Sequence, residues 1–121
     1  MRDLTGECTA FLTQQAAVDG LLNVFVPHAT AAVVIMETGA GSDIDLLTQL
    51  EHLLPTDARW QHRHGSPGHG RDHLAPALLA ASVTVPVLAG SMALGTWQSV
   101  CLVDTNGDNP TRTVRLTLLP G

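Results

Sequence analysis

Leu22, Val24 and Val26 alternate with Leu21, Asn23 and Phe25, the two-residue period of a strand with one face turned inward. A β-branched apolar run from Ala31 to Met36 follows, and its lack of alternation predicts a second strand covered on both faces. His28 and Thr30 fall between the two runs, at a strand end or a tight connection. Ser42-Asp43-Ile44-Asp45 then has the capping form Ser-x-x-Asp that opens a helix. Ile44, Leu47, Leu50 and Leu54 recur at three- and four-residue steps as its apolar face, and Pro55 stops it. The stretch from Gln61 to Asp72 has no periodicity and reads as a loop. Asp72 is the predicted N-cap of a second, shorter helix through Leu74, Leu78 and Ala81, with Pro76 in or near its first turn.

From Ser82 the pattern returns to strands. Val83, Val85 and Val87 alternate, Gly90 punctuates, and Ala93 to Val103 supplies one or two more. Asn106-Gly107 is a hairpin signal, after which Val114, Leu116 and Leu118 alternate with Thr113, Arg115 and Thr117 in a closing strand. This order predicts one α+β domain over 1–121, its sheets carrying two main helices on one side.

Composition changes that picture in three ways. Only 14% of the residues are charged, which suggests that a partner covers part of the exterior, and a chain this short gains from self-association. The net charge is −5 with no lysine and no basic run, so nucleic acid is excluded as a partner. Cys8 and Cys101 lie far apart and outside any CxxC spacing, as free buried thiols of a cytoplasmic protein do. No signal peptide is evident, and the longest apolar stretch, around Ala75 to Val83, is too short to span a bilayer. Membrane association is not expected.

His62, His64, His69 and His73 fall within one loop and the helix start after it. A neutral imidazole offers a lone pair near physiological pH, so the group is either a transition-metal site or a solvated loop whose rings never meet. His28 is a half-buried ring bonded to backbone or a site residue. Glu37, after the second strand, is a solvent-facing strand end or a carboxylate of the site. In Gly95-Thr96-Trp97-Gln98 the glycine suggests a bulge or close backbone approach, and Trp97 is expected to pack structurally.

The segment Ser82-Val83-Thr84-Val85-Pro86-Val87-Leu88-Ala89-Gly90, four further residues, and then Gly95-Thr96-Trp97-Gln98-Ser99-Val100 resembles the signature of the YjbQ/UPF0047 family. His28-Ala29-Thr30-Ala31-Ala32 is similar to its His-Thr-(Thr/Ser)-Ala-(Ala/Ser) block, with Glu37 at the following glutamate and Asp45 at the aspartate of its first helix. Trp60-Gln61-His62 resembles its Tyr-x-His, His73 falls on the histidine of its second helix, and Arg112 on the arginine after its Asp-Gly-Pro turn. Ala29 and His69 replace a threonine and an asparagine of that pattern. Thr38-Gly39-Ala40-Gly41 and the turn Asp104-Thr105-Asn106-Gly107-Asp108-Asn109-Pro110 are rearranged, and the first twenty residues match weakly.

The resemblance implies an α+β, sandwich-like subunit assembled as a homotrimer, whose histidines line pockets at subunit boundaries, holding a divalent metal (zinc or magnesium) or an anion. Its metal ligands would be His28, His62 and His73, with Glu37 and His28 as catalytic groups. Arg63, Arg71, Arg112 and Thr30 would bind a small phosphorylated ligand, and Gly95, Thr96, Trp97 and Gln98 would be the structural motif. The activity implied is a secondary thiamine-phosphate synthase, which joins a hydroxymethylpyrimidine diphosphate to a thiazole phosphate. A metal-dependent hydrolase or lyase with Glu37 as general base, and a non-enzymatic metal- or anion-binding trimer, are the alternatives. Three histidines suit zinc better than magnesium, which prefers oxygen ligands.

Overall fold

The computed structural model describes residues 1–121. The predicted alternation is realised in β2 (Gly20–Phe25), where Leu22 and Val24 are fully buried while Leu21 and Phe25 face outward. β2 pairs antiparallel with β4 (Ser82–Leu88) on one side and β7 (Arg115–Pro120) on the other, and the short β5 (Ser91–Met92) completes a four-stranded sheet, β5-β4-β2-β7. The apolar run forms β3 (Ala31–Met36), antiparallel to β6 (Ser99–Asp104); β1 (Arg2–Asp3) adds to the far edge of β6. The sheets face one another across a core of Leu22, Val24, Val26, Val33, Val85, Val87 and Val100. Ala31, Ala32 and Val33 are all buried because β3 is covered on both faces, as its lack of alternation predicts.

The second cover of β3 is helical. α2 (Ser42–Leu53) and α3 (Ala75–Leu79) lie against the outer face of the three-stranded sheet, where Leu50, Leu54 and Ala75 meet Ala32 and Val103. Two details of the predicted helices are corrected. Ser42 is the first helical residue rather than the cap, because Gly41, with φ of 103°, makes the left-handed entry and no side chain caps the helix. Ile44 is 67% exposed, and the packing face runs instead through Leu46, Leu47, Leu50 and Leu54. α3 is also shorter than predicted and begins after Leu74, with Pro76 in its first turn. Asp72 precedes it in a 3₁₀ turn (His69–His73) and does not cap it.

A third helix, α1 (Thr5–Gln14), supplements the two expected. Its threonine-rich sequence buries little beyond Cys8 and Leu12, too weak a stripe to register as periodicity. Burial raises both thiols, Cys8 and Cys101, to about 11, which leaves them protonated packing groups. The hairpin expected at Asn106-Gly107 does not form. β6 and β7 belong to different sheets, and the connection between them crosses from one to the other. The tight hairpin is instead at Ala89-Gly90, both with positive φ, between β4 and β5.

No helix is long and apolar enough to cross a membrane. Leu22→Ala, at a fully buried position, should lower unfolding free energy by about 2–5 kcal/mol. Ile44→Ala should change it by no more than about 0.5 kcal/mol. Urea denaturation of the two variants checks the assignment of inner and outer faces.

Candidate functional site

The histidine loop is shaped by what packs beneath it. Trp60 joins the helical core and donates its indole N–H to the carbonyl of Pro55 at 2.9 Å, closing the chain back after α2. The 3₁₀ turn then lies on this tryptophan so closely that a Cβ at Gly70 would sit 2.7 Å from the Trp60 Cβ and from the His62 carbonyl oxygen. Arg71 fixes the turn to the end of α2 by donating to the Leu54 carbonyl at 2.9 Å and to Glu51. Its Nε donates to the neighbouring Asp72 at 3.2 Å. Asp72, 4% exposed, also accepts from the hydroxyl of Thr105 and, at 3.1 Å, from the amide of Asn106. One buried carboxylate thereby ties the turn to the connection between the sheets.

The result is that all four loop histidines meet. The His62 ring centre lies 4.0 Å from that of His64, 4.1 Å from His73 and 4.9 Å from His69, and His69 meets His73 edge-on at 5.2 Å. His62, His64 and His69 each bring a ring nitrogen within 4.8 Å of the other two. Nδ1 of His62, Nε2 of His69 and Nε2 of His73 are buried without a hydrogen-bond partner. Loss of solvent, then the neighbouring rings, hold His62 and His73 below the ordinary imidazole value of 6.5. Both rings are therefore neutral near pH 7, with lone pairs to offer. Unpartnered buried nitrogens cost desolvation free energy, and a soft divalent cation with nitrogen ligands satisfies them, so the donor set fits zinc and not magnesium.

His28 occupies the connection between β2 and β3. Its Nδ1 accepts from the Thr30 backbone amide at 3.3 Å and contacts the Thr30 hydroxyl at 2.9 Å. With Nδ1 used as an acceptor, the neutral ring carries its proton on Nε2, as a hydrogen-bond donor does and a metal ligand through that nitrogen does not. Thr30, 3% exposed, stands 3.4 Å from Asp104, which pairs with Arg112.

The expected anion-binding arginines separate into two kinds. Arg71 is taken up internally by Glu51, Leu54 and Asp72, and Arg112 by Asp104 and the carbonyls of Asn109 and Thr111, with its buried Nη2 left without a partner. Arg63 is exposed, has no partner in the chain, and lines a polar cleft of about 350 Å³ with His62, Asp57, Trp60 and Ser66.

Glu37 is not brought to the histidines within one chain. It follows the end of β3 remote from Thr30, which at the rise of an extended strand is about 20 Å away. The Gly95-Thr96-Trp97-Gln98 segment lies at that same remote end, before β6, as a turn closed by Gln98 N–H to the Gly95 carbonyl at 3.0 Å. The Gln98 side chain accepts from Gly95 N–H at 2.8 Å, so the motif is stapled twice. Trp97 stands 75% exposed on it, which corrects the expectation that it packs into the core of its own subunit.

Sequence reasoning missed Asp72, Asn106 and Asp108. Asn106 reads as a hairpin residue, yet its side chain reaches His69 Nδ1 at 2.8 Å, and Asp108 reaches the same nitrogen at 3.1 Å. The signal present was the rearranged Asp104–Pro110 turn itself.

Comparison with known proteins agrees with this architecture. The whole chain, residues 1–121, matches the family described as UPF0047 protein YjbQ-like. It is 62% identical over 119 residues to a UPF0047 protein of Mycobacterium bovis, covering 98% of this chain and 91% of that one. It is 32% identical to the UPF0047 protein YugU of Bacillus subtilis, over 98% of this chain and 89% of that one. A crystal structure of a hypothetical protein from Aeropyrum pernix superposes with a TM-score of 0.90 at 32% identity, covering 99% of this chain and 88% of that one. A YjbQ-like protein of unknown function from Sulfolobus solfataricus gives 0.91 at 28%, covering 99% and 86%. Matched over its full length, and built of two antiparallel sheets and three helices, the chain belongs to the YjbQ/UPF0047 family.

Proposed function

We propose that this protein is a homotrimeric, zinc-type metal protein acting on a small phosphorylated ligand at a site built around His62, His64, His69 and His73. The observation that carries the reading is the set of three buried ring nitrogens left without partners inside one four-histidine cluster. Bound there, a zinc ion supplies Lewis-acid polarisation of a ligand oxygen. The remaining groups divide the ligand's recognition between them. Arg63 offers a free guanidinium fork for phosphate at the mouth of the cleft. His28, oriented by Thr30, offers an Nε2–H donor at the connection between β2 and β3.

A reaction that expels pyrophosphate draws on those same groups, since it needs positive charge on the leaving group and little proton transfer. Thiamine-phosphate formation from a hydroxymethylpyrimidine diphosphate and a thiazole phosphate is of this kind, and is the finer reading drawn from the family resemblance. A hydrolase or lyase with Glu37 as base is the alternative, and it requires Glu37 to reach the site from a second copy. Trimer formation is supported by uncovered apolar surface. Besides Trp97, Leu21, Phe25, Leu88 and Leu119 are exposed on or beside the outer face of the four-stranded sheet. The signature turn and Glu37 occupy one end of the three-stranded sheet and the histidines the other, as suits a head-to-tail ring.

Elemental analysis of untagged protein should find stoichiometric zinc in the wild type. His62→Ala and His73→Ala should each lose it; zinc-free wild type would end the metal reading. Trp97→Ala should leave the subunit folded but shift light scattering from trimer towards monomer, and a trimer of unchanged stability would contradict the role given to Trp97.

The depressed His62 and His73 values also give a pH dependence. As pH falls through about 6.5 the unfolded chain binds protons that the folded rings resist, so stability is retained above that pH and declines below it. The metal-free protein should therefore have a lower urea midpoint at roughly pH 5.5 than at pH 7.5, with the difference reduced in His62→Gln. The depressed carboxylates Asp57 and Asp108 titrate in a lower window and do not obscure it.

A further inference from the structure

The hydrogen bonds around His69 fix where its ring carries a hydrogen. Its side chain is only 10% exposed, and Nδ1 meets the side-chain amide nitrogen of Asn106 at 2.8 Å. That amide is held one way round. Its carbonyl accepts the Asp108 backbone N–H at 2.9 Å, and its nitrogen also donates to the buried Asp72 carboxylate at 3.1 Å. Reversed, it would aim its carbonyl at the carboxylate and an N–H at the Asp108 N–H. Asn106 is therefore a donor to Nδ1, and a proton on Nδ1, in the neutral or the charged ring, would oppose it. The Asp108 carboxylate, 3.1 Å from the same nitrogen, lies outside hydrogen-bond geometry and accepts from the Ser66 backbone amide at 3.0 Å.

The ring hydrogen then sits on Nε2, which is buried without a partner. An N–H has no lone pair for a cation, so a metal that satisfies His62 and His73 leaves this donor unmet. What completes it is an acceptor, and the backbone beside it shows where one enters. Gly65, with φ of 87°, lies on the Cε1–Nε2 edge of the ring, where a Cβ would stand 2.8 Å from both atoms. Gly65 also lines the polar cleft of about 350 Å³ that Arg63 and Ser66 line. The Nε2–H thus lies against the wall of that cleft, behind a residue with no side chain.

We propose that Asn106 holds the His69 proton on Nε2, and that His69 serves the site as a hydrogen-bond donor to a phosphate oxygen of the ligand and not as a ligand of the metal. The phosphate role deepens the reading given above and rests on it, while the place of the proton stands on the Asn106 contacts alone. Recognition is then shared between two unlike donors, the charged fork of Arg63 in the cleft and the single N–H of His69 behind its wall. A hydrogen bond to an ionised oxygen is roughly twice as strong as one between neutral groups, so His69 favours a ligand with an anionic oxygen. Asn106 is the positioning residue of that donor.

Two measurements on the full chain test this. In the metal-free protein, ring nitrogen NMR should show His69 protonated at Nε2 in wild type, and protonation at Nδ1 overturns the assignment. Asn106→Asp, which puts an acceptor in place of the donor, should move the proton to Nδ1; a proton that stays on Nε2 there removes Asn106 from the proposal. In calorimetric titration of the protein as purified with inorganic phosphate, His69→Gln keeps a side-chain N–H and should bind within about threefold of wild type. His69→Leu should bind roughly 10–100-fold more weakly, with the zinc content of both variants unchanged. Zinc lost from His69→Leu makes His69 a metal ligand and overturns the donor role. Equal phosphate affinity in wild type and His69→Leu, or none in wild type, overturns the phosphate role. Wild type that contains no zinc ends the metal reading alone, and the same titration still decides His69.

Discussion

The site depends on a buried carboxylate. Asp72 sits in the turn that carries His69 and His73, yet its hydrogen bonds come from three directions: Arg71 beside it, and Thr105 and Asn106 across the sheet connection. A charge held this far from water is tolerable only when its lone pairs are met by good donors, and here all of the donors come from segments that must be in register. The polar network thus fixes where the loop docks, and the apolar contact between Trp60 and Gly70 fixes how closely. Without that docking the four imidazoles would be separate side chains of a polar loop.

A second network runs beside the first. Arg112, Asp104, Thr30 and His28 form a chain from the β6–β7 connection to the β2–β3 connection. Two of the three arginines expected to bind a ligand, Arg71 and Arg112, are therefore parts of the frame. They hold in place the carboxylates that position the site, and leave the unpaired Arg63 as the arginine beside the histidines available to an incoming anion.

Much of the fold was legible because burial imposes a period. β2, β3, β4 and β7 follow their alternation or its absence, and β3 begins and ends where the apolar run does. What was not legible had no period to show. α1 buries too narrow a stripe, and Asn106-Gly107 has the chemistry of a hairpin turn in a segment that joins two different sheets. The site divides along the same line. That histidines converge follows from their density in one loop, but their partners come from residues more than thirty positions away, which spacing cannot reveal. His69 and the rearranged Asp104–Pro110 turn stood out in the sequence separately, and the fold sets the histidine against that turn, 3.1 Å from Asp108.

The buried, unpartnered nitrogens have one more consequence, for the dynamics of the loop. Closing the segment from Gln61 to His73 over the helical core strips water from three nitrogens and returns no hydrogen bond, so without a cation this region is held down less firmly than the sandwich beneath it. It should behave as a separate opening unit, exchanging its amides while β2, β3 and β6 stay closed. A cluster that is sealed in the closed state would gain its route to solvent through that local opening. Whatever occupies the cluster would then lock the loop as well as fill it.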